Sequence, residues 1–168
     1  MDRGQLVPDD ITVRMLLERL DQRDAAQGAI LDGFPRTRAQ AQALDAALAE
    51  RGSRVDRALN IDVPAEEVVR RMSGRWICEA AGHVYHETAN PPRVAGRCDI
   101  DGSRLIQRED DRIETVRARL AQQLGALRDV VGYYRSQGTL RTVDGRRPIT
   151  EVTDELLAAL NTTPTGAS

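Results

Sequence analysis

At 168 residues, the chain is long enough for one domain with at most a small insertion. The net charge of -2 argues against a general binder of polyanions such as nucleic acid. No apolar run is long enough to span a bilayer, and two cysteines without an apolar signal segment indicate a reducing compartment. We therefore predict a cytoplasmic protein with no membrane or nucleic-acid partner.

Every one of the 24 basic residues is arginine, and the chain has no lysine. A Gly-Lys-Ser/Thr phosphate loop is therefore excluded from these 168 residues. Aromatic residues make up only 3% of the chain, although a hydrophobic content of 40% can support a core. We expect alanine, valine, leucine and isoleucine to fill that core.

The first 50 residues predict a helix, a strand and a second helix. Acids follow Pro8 at the start of the first helix, where the helix dipole favours them. Four apolar residues at helical spacing then indicate a core-facing side: Ile11, Met15, Leu16 and Leu20. The apolar run 29–31 predicts a short buried strand, and an Ala- and Gln-rich helix follows from Thr37 to Glu50.

A turn with an acid, a glycine, a proline and an arginine joins that strand to the second helix. Because ligands of open α/β sheets sit beyond the carboxyl ends of the strands, Asp32 and Arg36 are candidate binding residues. Gly33 permits close approach of a ligand, and Pro35 keeps Phe34 out of the helical conformation. Taken alone, an ordinary loop with a surface Asp and Arg is the simpler interpretation.

The remainder of the chain predicts further helices and strands around a glycine-punctuated region at 75–108. The predicted elements are a strand at 58–63, helices at 64–73, about 110–137 and 149–160, and a last strand at 139–143. Residues 161–168, rich in Thr, Pro, Gly and Ser, predict a disordered tail. If both members are helical, Arg71 and Arg75 share a helix face, and so do Arg108 and Arg119.

Short motifs, in order along the chain, resemble those of adenylate kinases and related nucleoside monophosphate kinases. The most specific is Asp-Gly-Phe-Pro-Arg-Thr at 32–37, with Gln40 after it. The others are 4–9, Gly74-Arg75, Val84-Tyr85-His86, Asn90-Pro91-Pro92, 107–111, 114–120, Tyr133-Tyr134 and Val143-Asp144-Gly145. The resemblance covers nearly all of the chain up to about residue 160.

The resemblance implies an α/β fold, a P-loop NTPase-like parallel sheet flanked by helices with a small β-rich lid insertion. It implies a core at 1–74 and 110–160 and a long bacterial-type lid at 75–109. In the family, the motif near Gly4 follows two strands and the glycine-rich phosphate loop. We therefore expect this chain to lack its N-terminal strands, and to be weakly active or inactive alone.

The resemblance also implies which residues bind each of the two nucleotides. The residues implied for AMP are Gln5, Leu6, Val7, Gly33, Phe34, Pro35, Arg36, Gln40, Arg108 and Arg119. Among them, Arg36 is implied to bind the phosphate and Gln40 to read the adenine edge. The residues implied for ATP are Arg71, Arg75, Val84, Tyr85 and Arg147. A surface Gln or Arg of a helix is otherwise usually solvated, so these roles depend on the motifs.

Phosphoryl transfer from ATP to AMP needs in-line positioning and charge neutralisation rather than a nucleophilic side chain. The catalytic residues that the resemblance implies are Arg36, Arg75, Arg108, Arg119 and Asp32. The four arginines are expected to converge on the phosphates, while Asp32 helps to position Mg²⁺ through water. Asp110 and Asp111 are expected to position the arginines or to latch the closed lid. The expected partners are ATP, AMP and ADP, with a monomeric full-length protein.

Many lids of this family hold zinc between two Cys-x-x-Cys or Cys-x-x-Asp pairs. Here Cys98 and Asp101 form the second pair, but Ala81 follows Cys78 where the first pair needs a ligand. A tetrahedral site is then one ligand short, and His83 is a candidate to complete it. A lid held by hydrogen bonds and packing is the alternative, so we leave structural zinc open.

Three interpretations follow from the sequence. The first is an adenylate kinase represented by a truncated chain. The second is a non-catalytic nucleotide-binding relative that keeps the AMP site and lacks the phosphate loop. The third, from another class, is a zinc-ribbon interaction module at 78–98 on a helical scaffold.

Overall fold

The computed structural model describes residues 9–161, which form five α-helices and five strands. The helices are α1 (Asp9–Leu20), α2 (Arg38–Glu50), α3 (Ala65–Ser73), α4 (Ile113–Ser136) and α5 (Ile149–Asn161). The strands are β1 (Ala58–Asp62), β2 (Arg75–Cys78), β3 (Val84–His86), β4 (Leu105–Ile106) and β5 (Leu140–Asp144). Short 3-10 turns lie at Arg23–Ala25 and Glu109–Asp111. None of the described helices is both long and apolar enough to cross a membrane.

Local signals explain where the helices begin. The hydroxyl of Thr37 accepts a hydrogen bond from the backbone N–H of Gln40 at 3.1 Å, which caps α2. Pro64 precedes α3, and Glu66 and Glu67 occupy its first turn, where the dipole favours acids. The helices and strands predicted beyond residue 37 are therefore confirmed to within a few residues.

The chain divides into two compact units. Of the described residues, the first contains 9–61, 124–143 and 149–161, and the second contains 62–123 and 144–148. In the first unit, Ala41 of α2 packs with Val130 and Tyr134 of α4 in a core that Ala58 and Leu140 border. The predicted lid, 75–109, lies wholly within the second unit, and its boundaries stay a prediction.

The sheet of β1 and β5 is parallel, as predicted. The N–H of Ala58 donates to the carbonyl of Thr139 at 3.2 Å, and the N–H of Gly145 donates to that of Asp62 at 2.9 Å. The starts and the ends of the two strands therefore match, which is the pattern of parallel strands. The fold class is α/β, and the structure adds a small antiparallel sheet to this parallel pair.

The second unit is built on the antiparallel sheet β3-β2-β4. Arg75 pairs with His86 and Cys78 pairs with Leu105 in its two ladders. Cys78, Tyr85, Cys98 and Leu105 form a buried cluster on this sheet. The small sheet therefore carries a core of its own, which confirms the β-rich insertion predicted from the glycine-punctuated sequence.

Three predictions about the ends and faces of elements were wrong. Residues 29–31 form no strand, and Ile30 is 89% exposed, because no described strand pairs with this segment. Met15 is 63% exposed, so only part of the apolar side of α1 is covered. Asn161, predicted to begin the tail, is the last residue of α5. The rest of that tail lies outside the described residues.

Candidate functional site

In the first unit, the turn at 32–37 presents an exposed carboxylate and an exposed guanidinium. Gly33 adopts φ of 71°, the left-handed conformation that glycine tolerates best. The Nε–H of Arg36 donates to the carbonyl of Gly33 at 2.7 Å, and the Phe34–Pro35 peptide is cis. Asp32 has no hydrogen-bond partner among the described residues, so its oxygens are open to a hydrated cation.

Gln40 stands directly behind this turn and is buried, with only 3% of its surface exposed. Its side-chain oxygen accepts from the N–H of Arg36 at 2.7 Å, and its side-chain nitrogen donates to Asp9 Oδ1 at 2.7 Å. Asp9 also accepts from the Thr37 hydroxyl at 3.0 Å. The side chain of Gln40 therefore holds the Arg36 backbone in place.

Arg36 and Gln40, both predicted for AMP, meet although no helix spans the two. The helix α2 begins only at Arg38, so the contact is made by the backbone N–H of Arg36. Gln5, Leu6 and Val7, also predicted to contact AMP, lie outside the described residues.

In the second unit, Arg75 and Asp111 form an ion pair with two parallel hydrogen bonds. Nε and one terminal nitrogen of Arg75 lie 2.9 and 2.6 Å from the two carboxylate oxygens. The side chain of Asp111 is 0% exposed, whereas that of Arg75 is 30% exposed. The hydrogen bonds that Arg75 donates to Asp111 raise the pKa of Arg75. One edge of the Arg75 guanidinium is thus fixed while the rest faces solvent.

The neighbouring carboxylate, Asp110, lies close to the two other arginines of this unit that are predicted to bind phosphate. A terminal nitrogen of Arg108 lies 2.9 Å from its Oδ2, and one of Arg119 lies 4.0 Å from the same oxygen. Burial alone would raise the pKa of Asp110, but its own backbone N–H and the charges of Arg108 and Arg119 hold that pKa below its usual range. Two adjacent acids therefore hold Arg75 and Arg108 by hydrogen bonds, with Arg119 at the limit of an ion pair.

Helical spacing was the wrong reason for expecting these arginines to meet. Arg108 precedes the turn at 109–111 in an extended conformation, and α4 begins only at Ile113. Similarly, α3 ends at Ser73, so Arg75 is not on a helix with Arg71. The carboxylates bring the arginines together. Because Arg36 belongs to the other unit, convergence of all four arginines stays a prediction.

Arg71, predicted to contact ATP, bridges α3 and the loop after β5. Its terminal nitrogen donates to the carbonyl of Gly145 at 2.9 Å, and its Nε donates to Glu67 at 2.7 Å. Hydrogen bonds from Arg70 and Arg71 lower the pKa of Glu67 to about 2. Arg147, also predicted for ATP, is an exposed residue two positions after Gly145. The structure therefore brings the loop that carries Arg147 to Arg71.

Val84 and Tyr85, the other residues predicted for ATP, lie on β3 with opposite orientations. The Val84 side chain is exposed, whereas Tyr85 is buried and its hydroxyl lies 3.4 Å from Cys98 Sγ. The Tyr85 hydroxyl also accepts the backbone N–H of Asp99 at 2.8 Å. The side chain of Tyr85 thus packs inside the small sheet rather than facing solvent.

Four potential metal ligands meet at one end of this sheet: Cys78, His83, Cys98 and Asp101, whose ligand atoms all lie within 4.8 Å of one another. His83 Nδ1 is 3.3 Å from Cys98 Sγ and 3.4 Å from Asp101 Oδ2, and Cys78 Sγ is 3.1 Å from Asp101 Oδ2. Zinc bonds of about 2.0–2.3 Å give tetrahedral edges of about 3.3–3.8 Å. The three distances lie close to the lower end of this range, so the four donors are grouped closely enough to surround a single ion.

Two equivalent turns supply these ligands. In each, the N–H of the cysteine donates to a carbonyl five residues later, and the glycine at the fourth position donates back to the cysteine carbonyl. Gly82 and Gly102 both have φ of 72°. His83 in the first turn thus corresponds to Ser103 in the second, and Ala81 corresponds to Asp101. The second ligand of the first turn, His83, therefore lies two residues further from its cysteine than Asp101 does in the second turn.

The electrostatics of the cluster favour ionised ligands. Burial would raise the pKa of the Cys78 thiol, but hydrogen bonds with the Ser103 hydroxyl and the Ala81 N–H outweigh it and lower that pKa to about 7. Hydrogen bonds from Ser103 hold the pKa of Asp101 far below its usual range. Sequence reasoning missed Ser103, although its spacing from Cys98 repeats that of His83 from Cys78.

Comparison with known proteins places these sites in a family. The sequence profile described as adenylate kinase matches residues 1–139. The chain belongs to the adenylate kinase family. It is 46% identical over 161 residues to an adenylate kinase of Staphylococcus epidermidis and 45% identical to one of Staphylococcus aureus. In each case the alignment covers 96% of this chain and 75% of the relative.

Membership of the adenylate kinase family confirms the resemblance drawn from the motifs. It supports the prediction of a nucleoside monophosphate kinase, a transferase of nucleotide biosynthesis, and it does not favour an interaction module. The motif 32–37, the arginines held by Asp110 and Asp111, and the Cys/His/Asp cluster all lie inside the matched region. Each of them has a defined geometry within its own unit.

Proposed function

We propose that this protein catalyses phosphoryl transfer from ATP to AMP, which yields two molecules of ADP. The proposal is carried by the guanidinium groups of Arg75 and Arg108, which carboxylates fix, and of the nearby Arg119, in a chain of the adenylate kinase family. An exposed guanidinium edge binds phosphate oxygens through charge-assisted hydrogen bonds, and the carboxylates behind it hold that edge in position.

The arginines would act by neutralising charge as it moves between phosphate oxygens, and no side chain has to act as a nucleophile. We assign Arg75 to the ATP phosphates and Arg36 to the AMP phosphate. Arg108 and Arg119 would bind both the transferred phosphoryl group and the AMP phosphate. Asp111 and Asp110 preorganise Arg75 and Arg108 before nucleotide binds, so less conformational entropy is lost on binding.

Mg²⁺ accompanies ATP in this proposal and supplies further neutralisation of phosphate charge. The exposed carboxylate of Asp32 is of the hard oxygen type that binds hydrated Mg²⁺. Gly33, Phe34 and Pro35 would line the AMP phosphate, with Gln40 behind them. Each end of the Gln40 amide has one hydrogen-bond partner, which leaves one N–H and one oxygen lone pair for the adenine edge.

On the ATP side, we assign the adenine to Arg71 and to the loop of Arg147, which the Arg71–Gly145 hydrogen bond joins. Residues 75–109 would act as the lid, with Val84 and the backbone of Tyr85 facing the nucleotide. Closure of a lid excludes water, which matters because hydrolysis competes with phosphoryl transfer.

We also propose that this lid holds a structural zinc ion on Cys78, His83, Cys98 and Asp101. Zinc would stabilise the two turns, since their cysteines, His83 and Asp101 offer a complete tetrahedral ligand set. The ion has no chemical step of its own in this proposal. It would keep the small sheet folded during opening and closing of the lid.

Replacing His83 with alanine is expected to weaken zinc binding more than tenfold, because one of four ligands is removed. Ala81→Cys in the His83→Ala background should restore much of the affinity, since position 81 matches Asp101 in the equivalent turn. Competition with a chromogenic zinc chelator measures both effects. Equal zinc affinity of the wild type and His83→Ala would contradict the ligand assignment.

Formation of ADP from ATP plus AMP, with calorimetric binding of each nucleotide, tests the proposed function. We expect saturable binding of both nucleotides and selectivity for AMP over other monophosphates. Binding without ADP formation would indicate the non-catalytic relative, and binding of neither would overturn the proposal. Turnover of about 1–100 per second would contradict the sequence-based prediction that this chain alone transfers phosphate weakly or not at all. Cytoplasmic location and a monomeric full-length protein also stay predictions.

A further inference from the structure

Gly74 immediately precedes Arg75, and the backbone conformation at position 74 does not require a glycine. Its φ of -86° and ψ of 1° are open to ordinary L-residues. A Cβ built at Gly74, however, would lie 2.5 Å from Nε2 and 2.7 Å from Cε1 of His86. The imidazole ring therefore occupies the space that a side chain at position 74 would need.

The ring of His86 is held on its other side, so it cannot simply move away. Its Nδ1 accepts the backbone N–H groups of Thr88 and Ala89 at 3.1 and 3.2 Å. Backbone N–H groups can only donate, so the neutral ring carries its proton on Nε2. The N–H of Glu87 also donates to the carbonyl of Gly74 at 3.0 Å. Hydrogen bonds to the ring and to the Gly74 carbonyl thus hold the two residues in contact.

The two nitrogens of the His86 ring have opposite roles in stability. Its Nε2 is buried and has no hydrogen-bond partner among the described residues, which is destabilising. Its Nδ1 gives the N–H groups of Thr88 and Ala89 an acceptor that an apolar ring could not offer. These hydrogen bonds hold the ring against Gly74, at the junction of α3 and β2.

That junction determines where the Arg75 guanidinium lies. The N–H of Gly74 closes the last turn of α3 on the carbonyl of Arg70 at 3.2 Å, and Arg75 begins β2 opposite His86. From there Arg75 reaches the buried Asp111 through two hydrogen bonds. An ion pair of this geometry tolerates little displacement of the backbone that carries it.

We propose that Gly74 and His86 are a steric pair of positioning residues that sets the Arg75 guanidinium for binding of the ATP phosphates. The inference rests on the proposed function for the identity of the ligand. The steric pair itself depends only on the contacts of the second unit.

Three variants test this pair: Gly74→Ala, His86→Ala and the double variant. Gly74→Ala should weaken ATP binding about 10- to 100-fold, as small misplacements of binding groups do, and leave AMP binding unchanged. His86→Ala should weaken ATP binding severalfold, because the ring no longer holds the junction, and the double variant should bind ATP like His86→Ala because the space for Cβ is restored. Gly132→Ala, whose Cβ would meet nothing within 4 Å, is the matched control.

A readout independent of nucleotide separates this inference from the proposed function. The Nε–H resonance of Arg75, assigned with Arg75→Lys, reports its hydrogen bond to Asp111. It should shift toward the position of solvated arginines in Gly74→Ala and return in the double variant. A double variant that resembles Gly74→Ala, or a Gly74→Ala resonance like that of the wild type, would overturn the steric pair. Failure of the wild type to bind ATP would overturn only the proposed function.

Discussion

Replacing Arg75 with alanine is expected to lower the free energy of unfolding by about 3 kcal/mol, at the lower end of values for breaking a buried ion pair. The carboxylate of Asp111 is 0% exposed, and the variant would leave it buried and without the two hydrogen bonds from Arg75. Water already reaches part of Arg75, which limits the loss. Urea unfolding followed by circular dichroism measures it.

Arg112→Ala is the matched control for this prediction. Arg112 lies beside Asp111 in sequence and pairs with Glu109, but both of these side chains are well exposed. An exposed pair contributes about 0–1 kcal/mol, so the control should unfold almost as the wild type does. If Arg75→Ala and Arg112→Ala were equally stable, the proposed dependence of Asp111 on Arg75 would be wrong.

Arg119→Ala is expected to weaken ADP binding about 10- to 100-fold, which corresponds to about 1.5–3 kcal/mol for hydrogen bonds to a charged group. The guanidinium of Arg119 lies 4.0 Å from Asp110, at the limit of an ion pair, so it is free to turn toward a phosphate. Isothermal titration calorimetry with ADP measures the loss. Stability should change little, because the side chain of Arg119 is half exposed.

The same helix offers a control two residues away. Arg117 carries the same charge as Arg119 and pairs with Glu66 at 3.2 Å, with both side chains exposed. Arg117→Ala should bind ADP within about twofold of the wild type if phosphate affinity depends on position rather than on net charge. Equal losses in the two variants would show a general electrostatic effect and would contradict the role assigned to Arg119.

The sequence predicted most helices and strands because their signals are local. Thr37 caps α2 through a hydrogen bond three residues ahead, and Pro64 with two acids starts α3. The motif at 32–37 also indicated the family, which the comparisons confirmed. The segment 29–31 has equally apolar residues, but a strand forms only when another strand pairs with it, and the described residues supply none.

At the site, the sequence determined which residue types carry the chemistry: arginines for phosphate and two cysteines with a histidine and an aspartate for a metal. It also offered Asp110 and Asp111 as positioning acids and His83 as a candidate ligand. The tertiary structure decided which of them meet: Asp111 pairs with Arg75, Asp110 lies beside Arg108 and Arg119, and His83 completes the cluster that Ala81 leaves one ligand short. Arg75 and Asp111 are 36 residues apart, so their contact depends on folding of the whole small sheet rather than on a local sequence motif.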